Sequence, residues 1–418
     1  MESEDVMALD AVTLRKDFPT LSREVHGRRL VFLDSAASSQ TPRPVLDAMA
    51  EYYEQMRSNV ERGVYLISEQ ATERYERARQ RVATFVGAPS AGGVVFTKNV
   101  TEAINLVAYA WVRRRLGPGD ALLTTQMEHH ANFVPWFHAA QDAGFELRTV
   151  PITDGFELDL EAAGRLLADG RVSFLAVGHV SNVLGTINPV AELAAMAREA
   201  NPDCVVLVDG AQAAPHLPLD LTSLDVDFYG LTGHKMCGPT GIGALIAKPE
   251  RLESMEPFLT GGSMVLDVQL DQVTWNHGPH RFEAGTPMIA EAFGLEAACD
   301  YLDAVGMPAI RAHERALTAT FLDALAGVDG VTLYGPTDVD TRSGAISFAV
   351  DGVHPHDVGA MLDSKGVCVR VGHHCAKPLL RELGINATAR ASLYLYNDAD
   401  DLAPLIEGIE AARSFFRR

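Results

Sequence analysis

From position 205 to 243 the chain reads VVLVDGAQAAPHLPLDLTSLDVDFYGLTGHKMCGPTGIG. An apolar run at 205–208 ends on Asp209. A second, at 228–231, ends at Thr232, Gly233, His234 and Lys235, ahead of a glycine-rich loop. A carboxylate and a lysine at the ends of neighbouring strands are what pyridoxal 5'-phosphate (PLP) chemistry requires. The lysine amine forms a Schiff base with the cofactor aldehyde, and the carboxylate keeps the pyridine nitrogen protonated so that the ring accepts electrons from a substrate. Taken singly, either residue also fits an ordinary strand-end Asp or surface Lys. The neighbouring segments shift the balance.

Thr101 and Glu102 open a helix directly after a strand, where N–H groups and a hydroxyl meet a phosphate as readily as they make a plain N-cap. His129 follows the next strand, where an imidazole can lie over a pyridine ring and later move protons. Asn182 and Gln212, after two further strands, can donate to a phenolic oxygen of the cofactor; satisfied loop amides are the alternative. Arg390 can grip a substrate carboxylate with its fork of donors, or sit at a strand edge. Of the five cysteines, Cys204, Cys299 and Cys368 lie in apolar runs and read as core, and Cys237 follows Lys235 without basic flanks. Cys375 lies beside His373 and His374, near Arg370 and Lys377, which predicts an accessible thiolate.

These residues need a frame, and the apolar pattern supplies one. Short strands at 94–96, 121–124, 147–150, 172–177 and 205–208 alternate with helices at 102–115, 160–168 and 189–200. Such alternation predicts an α/β fold with a mainly parallel sheet covered on both faces, and functional residues then collect at the carboxyl ends of the strands. Before this frame come a short helix at 10–17, a strand at 30–33 and helices at 43–56 and 69–86. After about 298 the texture changes to an α+β module: helices at 307–326, 356–365 and 398–416, and strands at 331–334, 345–348, 367–371 and 389–395. The expected division is a large domain over 31–298 and a small one built from 1–30 and 299–418, carrying Cys375.

The 418 residues suffice for two such cores, and 47% hydrophobic with 22% charged residues is ordinary for a soluble globular chain. A formal net charge of −20 argues against nucleic acid as a partner. The scattered cysteines form neither a disulfide framework nor a zinc site, and the acidic N-terminus lacks the apolar core of a signal peptide. No apolar run is long enough to span a membrane, so a cytoplasmic location is expected.

Together the motifs LDSAASSQTP (33–42), NVERGV (59–64), TKNVTEAINLVA (97–108), MEHHANFVPW (127–136), HVSNVLGTINPV (179–190), VDGAQ (208–212), GHKMCGPTGIG (233–243), FEAGTP (282–287) and RVGHHCAKPL (370–379) span nearly the whole chain. The sequence resembles the cysteine desulfurases, class-V aminotransferase-like PLP enzymes, in the group (group II) that includes SufS-type enzymes and selenocysteine lyases. The resemblance implies the PLP-dependent transferase fold type I and a homodimer with each active site near the subunit interface. It implies conversion of L-cysteine to L-alanine, with sulfur passing to Cys375 as a persulfide and on to an acceptor protein of the SufU or SufE kind, for iron–sulfur cluster or other sulfur-compound biosynthesis.

Residue by residue, Lys235 is similar to the Schiff-base lysine, Asp209 to the partner of the pyridine nitrogen and His129 to the ring-stacking histidine. Asn182 and Gln212 match positions near the phenolic oxygen, with Asn182 also near substrate. Thr101, Thr232 and His234 match phosphate contacts, with Thr286 reaching in from the other subunit, and Arg390 matches the substrate-carboxylate arginine. His354 and His356, at a helix start, read as a polar first turn; in the resemblance, His356 is an exposed imidazole that can take a place on an acceptor's zinc. Three positions depart from the SufS-type pattern: Glu61 where His is usual, Ser263 where Glu is usual, and Val100 where a second Thr is frequent. Selenocysteine lyase activity, a PLP lyase or aminotransferase of a specialised pathway, and a sulfur-trafficking scaffold are the alternatives.

Overall fold

Runs of valine, leucine and phenylalanine too apolar to face water on either side become the strands of one seven-stranded sheet. They are β1 (Val94–Thr97), β2 (Ala121–Thr125), β3 (Glu146–Val150), β4 (Val172–Gly178), β5 (Val205–Asp209), β6 (Phe228–Thr232) and β7 (Gly243–Ala247), seen in a computed structural model that describes residues 9–61 and 63–416. The order is β1-β7-β6-β5-β4-β2-β3. Only β7 runs against its neighbours β1 and β6; the remaining pairs are parallel. Alternate residues of one strand feed opposite cores: Val206 and Val208 of β5 point into one, Val205 and Leu207 into the other. Each such buried side chain contributes about 1.5–3 kcal/mol, so the sheet is held from both faces. The helix Ile289–Val305 covers one side, packed on Arg43–Gln55 and Leu66–Phe85.

The C-terminal module is an antiparallel sheet of β8 (Val331–Tyr334), β9 (Ala345–Val350), β10 (Arg370–Gly372) and β11 (Thr388–Ser392), in the order β8-β9-β11-β10. The helices Met307–Ala326, Pro355–Asp363 and Leu402–Phe416 close its core, which Val31 and Leu33 from the N-terminal segment also enter. The α/β architecture with a mainly parallel sheet and a smaller α+β module is the one expected from the alternation of apolar runs.

Several elements differ from that expectation: the strand expected at 389–395 ends at Ser392, and the helices Val134–Ala143 and Ile289–Val305 lie outside the elements expected. The stretch 367–371 is two strands: Val367–Cys368 pairs in parallel with Val31–Phe32, and Arg370–Gly372 joins β11. A two-residue partner supports only a two-residue strand, so the chain changes sheets at Val369. The glycine-rich loop after Lys235 runs directly into β7. There Gly243 opposes both Thr97 and Thr232, and a Cβ at Gly243 would lie 2.5 Å from Leu231 O, so this glycine serves close strand packing. The helix beginning at Val100 widens into a π-helical turn over Ala108–Val112.

Candidate active site

The carboxyl ends of β5 and β6 deliver Asp209 and Lys235 to one chamber. Lys235 closes a 3-10 turn, Gly233–Lys235, that follows β6 directly. Asp209 ends β5, and its Oδ1 accepts from Ala211 N–H at 3.0 Å. Both line the chamber with His129, Asn182 and Gln212. Burial raises the Asp209 pKa, opposed by the Ala211 N–H and the Lys235 charge. Burial lowers Lys235 to about 8. A carboxylate forced into low dielectric beside one amine gains from a second positive charge, which a protonated pyridine nitrogen provides.

His129 is neutral. Burial, with Lys235, His130, Arg370 and Arg390 nearby, lowers its pKa to about 3. Its Nδ1 accepts from Ala131 N–H at 3.0 Å, so the ring proton resides on Nε2. A polar chain behind it was not read from the sequence. Trp136 Nε1 donates to Asn132 Oδ1 at 3.0 Å, and Asn132 Nδ2 donates to Glu128 Oε2 at 2.6 Å. Glu128 Oε1 accepts from Thr125 Oγ1 at 2.8 Å and Gly178 N–H at 2.9 Å. Burial lifts Glu128 to about 7 against those donors. The spacing of Glu128, Asn132 and Trp136 by four residues was the available signal.

Above the chamber, sharing Val100, His129, Asn182 and Lys235 with it, lies a mouth with two walls. One wall carries Thr101, Thr232 and His234. Thr232 Oγ1 is buried without a hydrogen-bond partner. Thr101 stands in the first turn of the helix Val100–Val107, whose N-cap Asn99 accepts from Glu102 N–H at 3.0 Å. An unpartnered hydroxyl beside a helix N-terminus fits a phosphate. The other wall carries Arg370 and Arg390, directly opposite each other on β10 and β11. Arg390 is 1% exposed; Nη1 donates to Asn182 O at 2.6 Å and Nη2 to Asp34 Oδ1 at 3.3 Å, while Nε is buried without a partner. Burial lowers Arg390 to about 10, with Arg370 acting the same way. Two guanidiniums share one carboxylate, Asp34, so the wall is short of an anion.

The amides are engaged differently from the sequence expectation. Asn182 Nδ2 donates to His374 O at 2.7 Å and Gln212 Nε2 to Ala36 O at 2.7 Å, leaving each one further N–H. The donor set fits PLP: a lysine, a carboxylate at the chamber floor, a neutral imidazole, two amides and a phosphate cradle.

Cys375 is half-buried and lies within electrostatic reach of both Lys235 and Arg390. The competing thiol, Cys237, is fully buried, and burial pushes it up to about 12. Cys204, also buried, is raised to about 12, and burial raises Cys299 and Cys368 as well. Thr286 is exposed and lines a separate cleft with Thr97, Lys98 and Glu102, away from Lys235 of its own chain. His356 is exposed at the start of Pro355–Asp363 and stacks on His354, ring centroids 5.3 Å apart. His354 is the N-cap, its Nδ1 accepting from His356 N–H at 3.3 Å. Glu61, with φ of 70°, places Oε1 3.4 Å from His280 Nδ1. Among the described residues no His, Cys, Asp and Glu cluster could hold a metal ion, and no helix is long and apolar enough to cross a membrane.

Residues 31–405 match the aminotransferase class-V family. A probable cysteine desulfurase of Halobacterium salinarum is 48% identical over 417 residues, covering 100% of both chains. The apo structure of a cysteine desulfurase from Thermococcus onnurineus NA1 superposes with a TM-score of 0.89 at 38% identity, covering 98% of this chain and 99% of that one. The cysteine desulfurase CsdA (S-sulfonic acid) from Escherichia coli also gives a TM-score of 0.89, at 37% identity, with 98% and 100% covered.

Proposed function

From the premise that this chain belongs to the aminotransferase class-V family and is a PLP-dependent cysteine desulfurase, we propose the following division of labour among its residues. When bound, PLP supplies an aldehyde with which Lys235 condenses and a ring that draws electrons from the substrate Cα. Asp209 would hold a proton at the ring nitrogen. Thr101, Thr232, His234 and the first turn of Val100–Val107 would bind the phosphate. His129 would cover the ring, and the free N–H groups of Asn182 and Gln212 would serve the phenolic oxygen.

Arg390, steadied by Asp34 and backed by Arg370, pairs with the α-carboxylate of L-cysteine. Its buried, unpartnered Nε supports this most directly. With cofactor and substrate bound, Lys235, whose pKa burial lowers to about 8, would remove the Cα proton and return a proton to the product. The Cys375 thiolate attacks the substrate sulfur. The new S–S bond forms as the Cβ–S bond breaks, its electron pair passing to the three-carbon fragment that leaves, once protonated, as L-alanine. The observation that carries this assignment is that, of the two cysteines that are only partly buried, Cys368 packs against the apolar core and is raised by burial, whereas Cys375 lies within electrostatic reach of Lys235 and Arg390.

The persulfide then passes to an acceptor protein of the SufU or SufE kind, for iron–sulfur cluster or other sulfur-compound assembly. Free cysteines suit a reducing cytoplasm. The exposed His356 is the contact for a zinc-bearing acceptor, where a neutral imidazole can replace a zinc-bound thiolate. The enzyme works as a homodimer in which Thr286 serves the partner's phosphate. One assay tests the reading: L-cysteine is added to the holoenzyme and alanine and persulfide are quantified. Cys375→Ser should abolish alanine release, and desulfuration surviving in that variant would move the acceptor thiol elsewhere. In the arm with acceptor protein, His356→Ala should lose stimulation while keeping basal turnover; undiminished stimulation would exclude the zinc contact.

A further inference from the structure

His129 is one half of a histidine pair, and the second imidazole is held quite differently. The His130 N–H donates to Cys375 O at 2.7 Å. His130 Nε2 accepts from Lys377 N–H at 3.2 Å. One residue following β2 of the large sheet therefore grips the chain on both sides of Ala376, through the carbonyl of Cys375 before it and the amide of Lys377 after it. An Nε2 that accepts is unprotonated. Burial, helped by His373 and Lys377, lowers the His130 pKa and keeps it so. The rings of His130 and His373 lie 5.7 Å apart.

The segment so gripped is strained. His374 has φ of 49° and Cys375 φ of 56°, two successive side-chain-bearing residues in the left-handed region. Such a backbone persists only where its surroundings over-determine it. Other ties help: Asn182 Nδ2 donates to His374 O at 2.7 Å, Cys375 N–H to His373 Nδ1 at 3.1 Å, and Ala376 N–H to His373 O at 2.9 Å. The last two are internal to the loop and would travel with it. Asn182 and His130 are the ties that reach it from the sheet carrying Lys235, and Asn182 stops one residue short of the cysteine.

We propose that His130 is a positioning residue for Cys375: as a neutral acceptor for Lys377 N–H it fixes the left-handed His374 and Cys375 backbone and keeps the thiol aimed at the sulfur of bound L-cysteine. The inference rests on Cys375 as the sulfur acceptor. A side chain that aims a nucleophile acts on the chemical step, because a displacement of about 1 Å at a reacting atom costs on the order of 100-fold in rate.

The test compares His130→Ala with His130→Gln, whose side-chain oxygen can still accept from Lys377 N–H, in the holoenzyme. Three quantities are read: the visible absorption of the bound cofactor, kcat and KM for alanine release, and the rate of Cys375 alkylation by iodoacetamide, followed by peptide mass spectrometry without substrate. His130→Ala should lower kcat roughly 10- to 100-fold, leave KM within about twofold and the absorption unchanged, and speed Cys375 alkylation as the loop loosens. His130→Gln should recover most of both losses. Native kcat and alkylation in His130→Ala would overturn the proposal, as would a Gln variant no better than Ala or an altered cofactor spectrum. Failure of the underlying assignment would look different: Cys375→Ser would still release alanine, while the alkylation rates would still report the grip of His130.

Discussion

Lys235 shows how burial prepares a residue for its chemistry. An ordinary lysine, with a pKa near 10.4, is neutral in fewer than about one molecule in a thousand at pH 7; one held at about 8 is neutral in roughly one in ten. Burial causes the shift, Arg390 and Arg370 reinforce it, and Asp209 opposes it. Because only the neutral amine condenses with an aldehyde, covalent attachment of PLP to the apoprotein should speed up with rising pH and level off above a midpoint near 8. Stopped-flow absorbance across pH 6–11 checks this, and a midpoint at 10 or higher would mean the amine is not desolvated. Lys235, Asp209 and His129 were legible in the sequence because apolar runs end shortly before them, and strand ends are where an α/β sheet gathers its chemistry, whereas Arg390, inside β11, stood out only as a charge within an apolar strand. The bonds of Asn182 and Gln212 to backbone carbonyls were not, because their acceptors, His374 and Ala36, lie far away in the chain. The chain Trp136, Asn132, Glu128 was hidden for another reason. Polar residues four apart look like the wet face of a helix, whereas here they cross a 3-10 turn, His130–Asn132, into the buried floor of the site.

Among the elements, the sheet edge at β1 is tied down by the carboxylate of Glu283. Glu283 Oε1 accepts from Phe96 N–H at 2.7 Å and Arg79 Nη1 at 2.6 Å, and Oε2 from Arg79 Nη2 at 2.9 Å and Tyr75 OH at 3.0 Å. It thereby joins the helix Leu66–Phe85, strand β1 and the loop that carries Thr286. Arg79 is 2% exposed and also donates to Glu76, Nε to Oε2 at 3.0 Å and Nη2 to Oε1 at 3.2 Å, so loss of Glu283 would leave its charge paired but several buried donors, Phe96 N–H and Tyr75 OH among them, without an acceptor. Glu283→Ala should lower stability by about 1.5–3 kcal/mol, read as a lower urea midpoint with an unchanged slope. A loss below about 1 kcal/mol would mean that water enters and replaces the carboxylate. Apolar runs announced the elements themselves well, but pairing was less visible. Strand β7 hid behind glycines that serve close packing, and the strand expected at 367–371 is shared between two sheets because its partner Val31–Phe32 comes from the other end of the chain.

For the whole molecule, the question is where Thr286 acts. Val64, Leu66, Leu266, Val268 and Leu270 are all exposed on the isolated chain, large apolar side chains that the proposed homodimer would have reason to cover. Thr286 is likewise exposed, in a cleft separate from the chamber of its own Lys235. Complementation tells service to the partner from service at home. In Thr286→Glu a carboxylate would face the phosphate and repel it, so this variant and Lys235→Ala should each be inactive as homodimers. In a mixed dimer, Thr286 of the Lys235→Ala subunit completes the site that contains the intact lysine, while the other site carries both defects. Co-expression in equal amounts makes about half the dimers mixed, each with one working site of two, so alanine release should return to about a quarter of the native rate. If Thr286 served its own chain, no site in the mixed dimer would be whole and the mixture would stay as inactive as its parents.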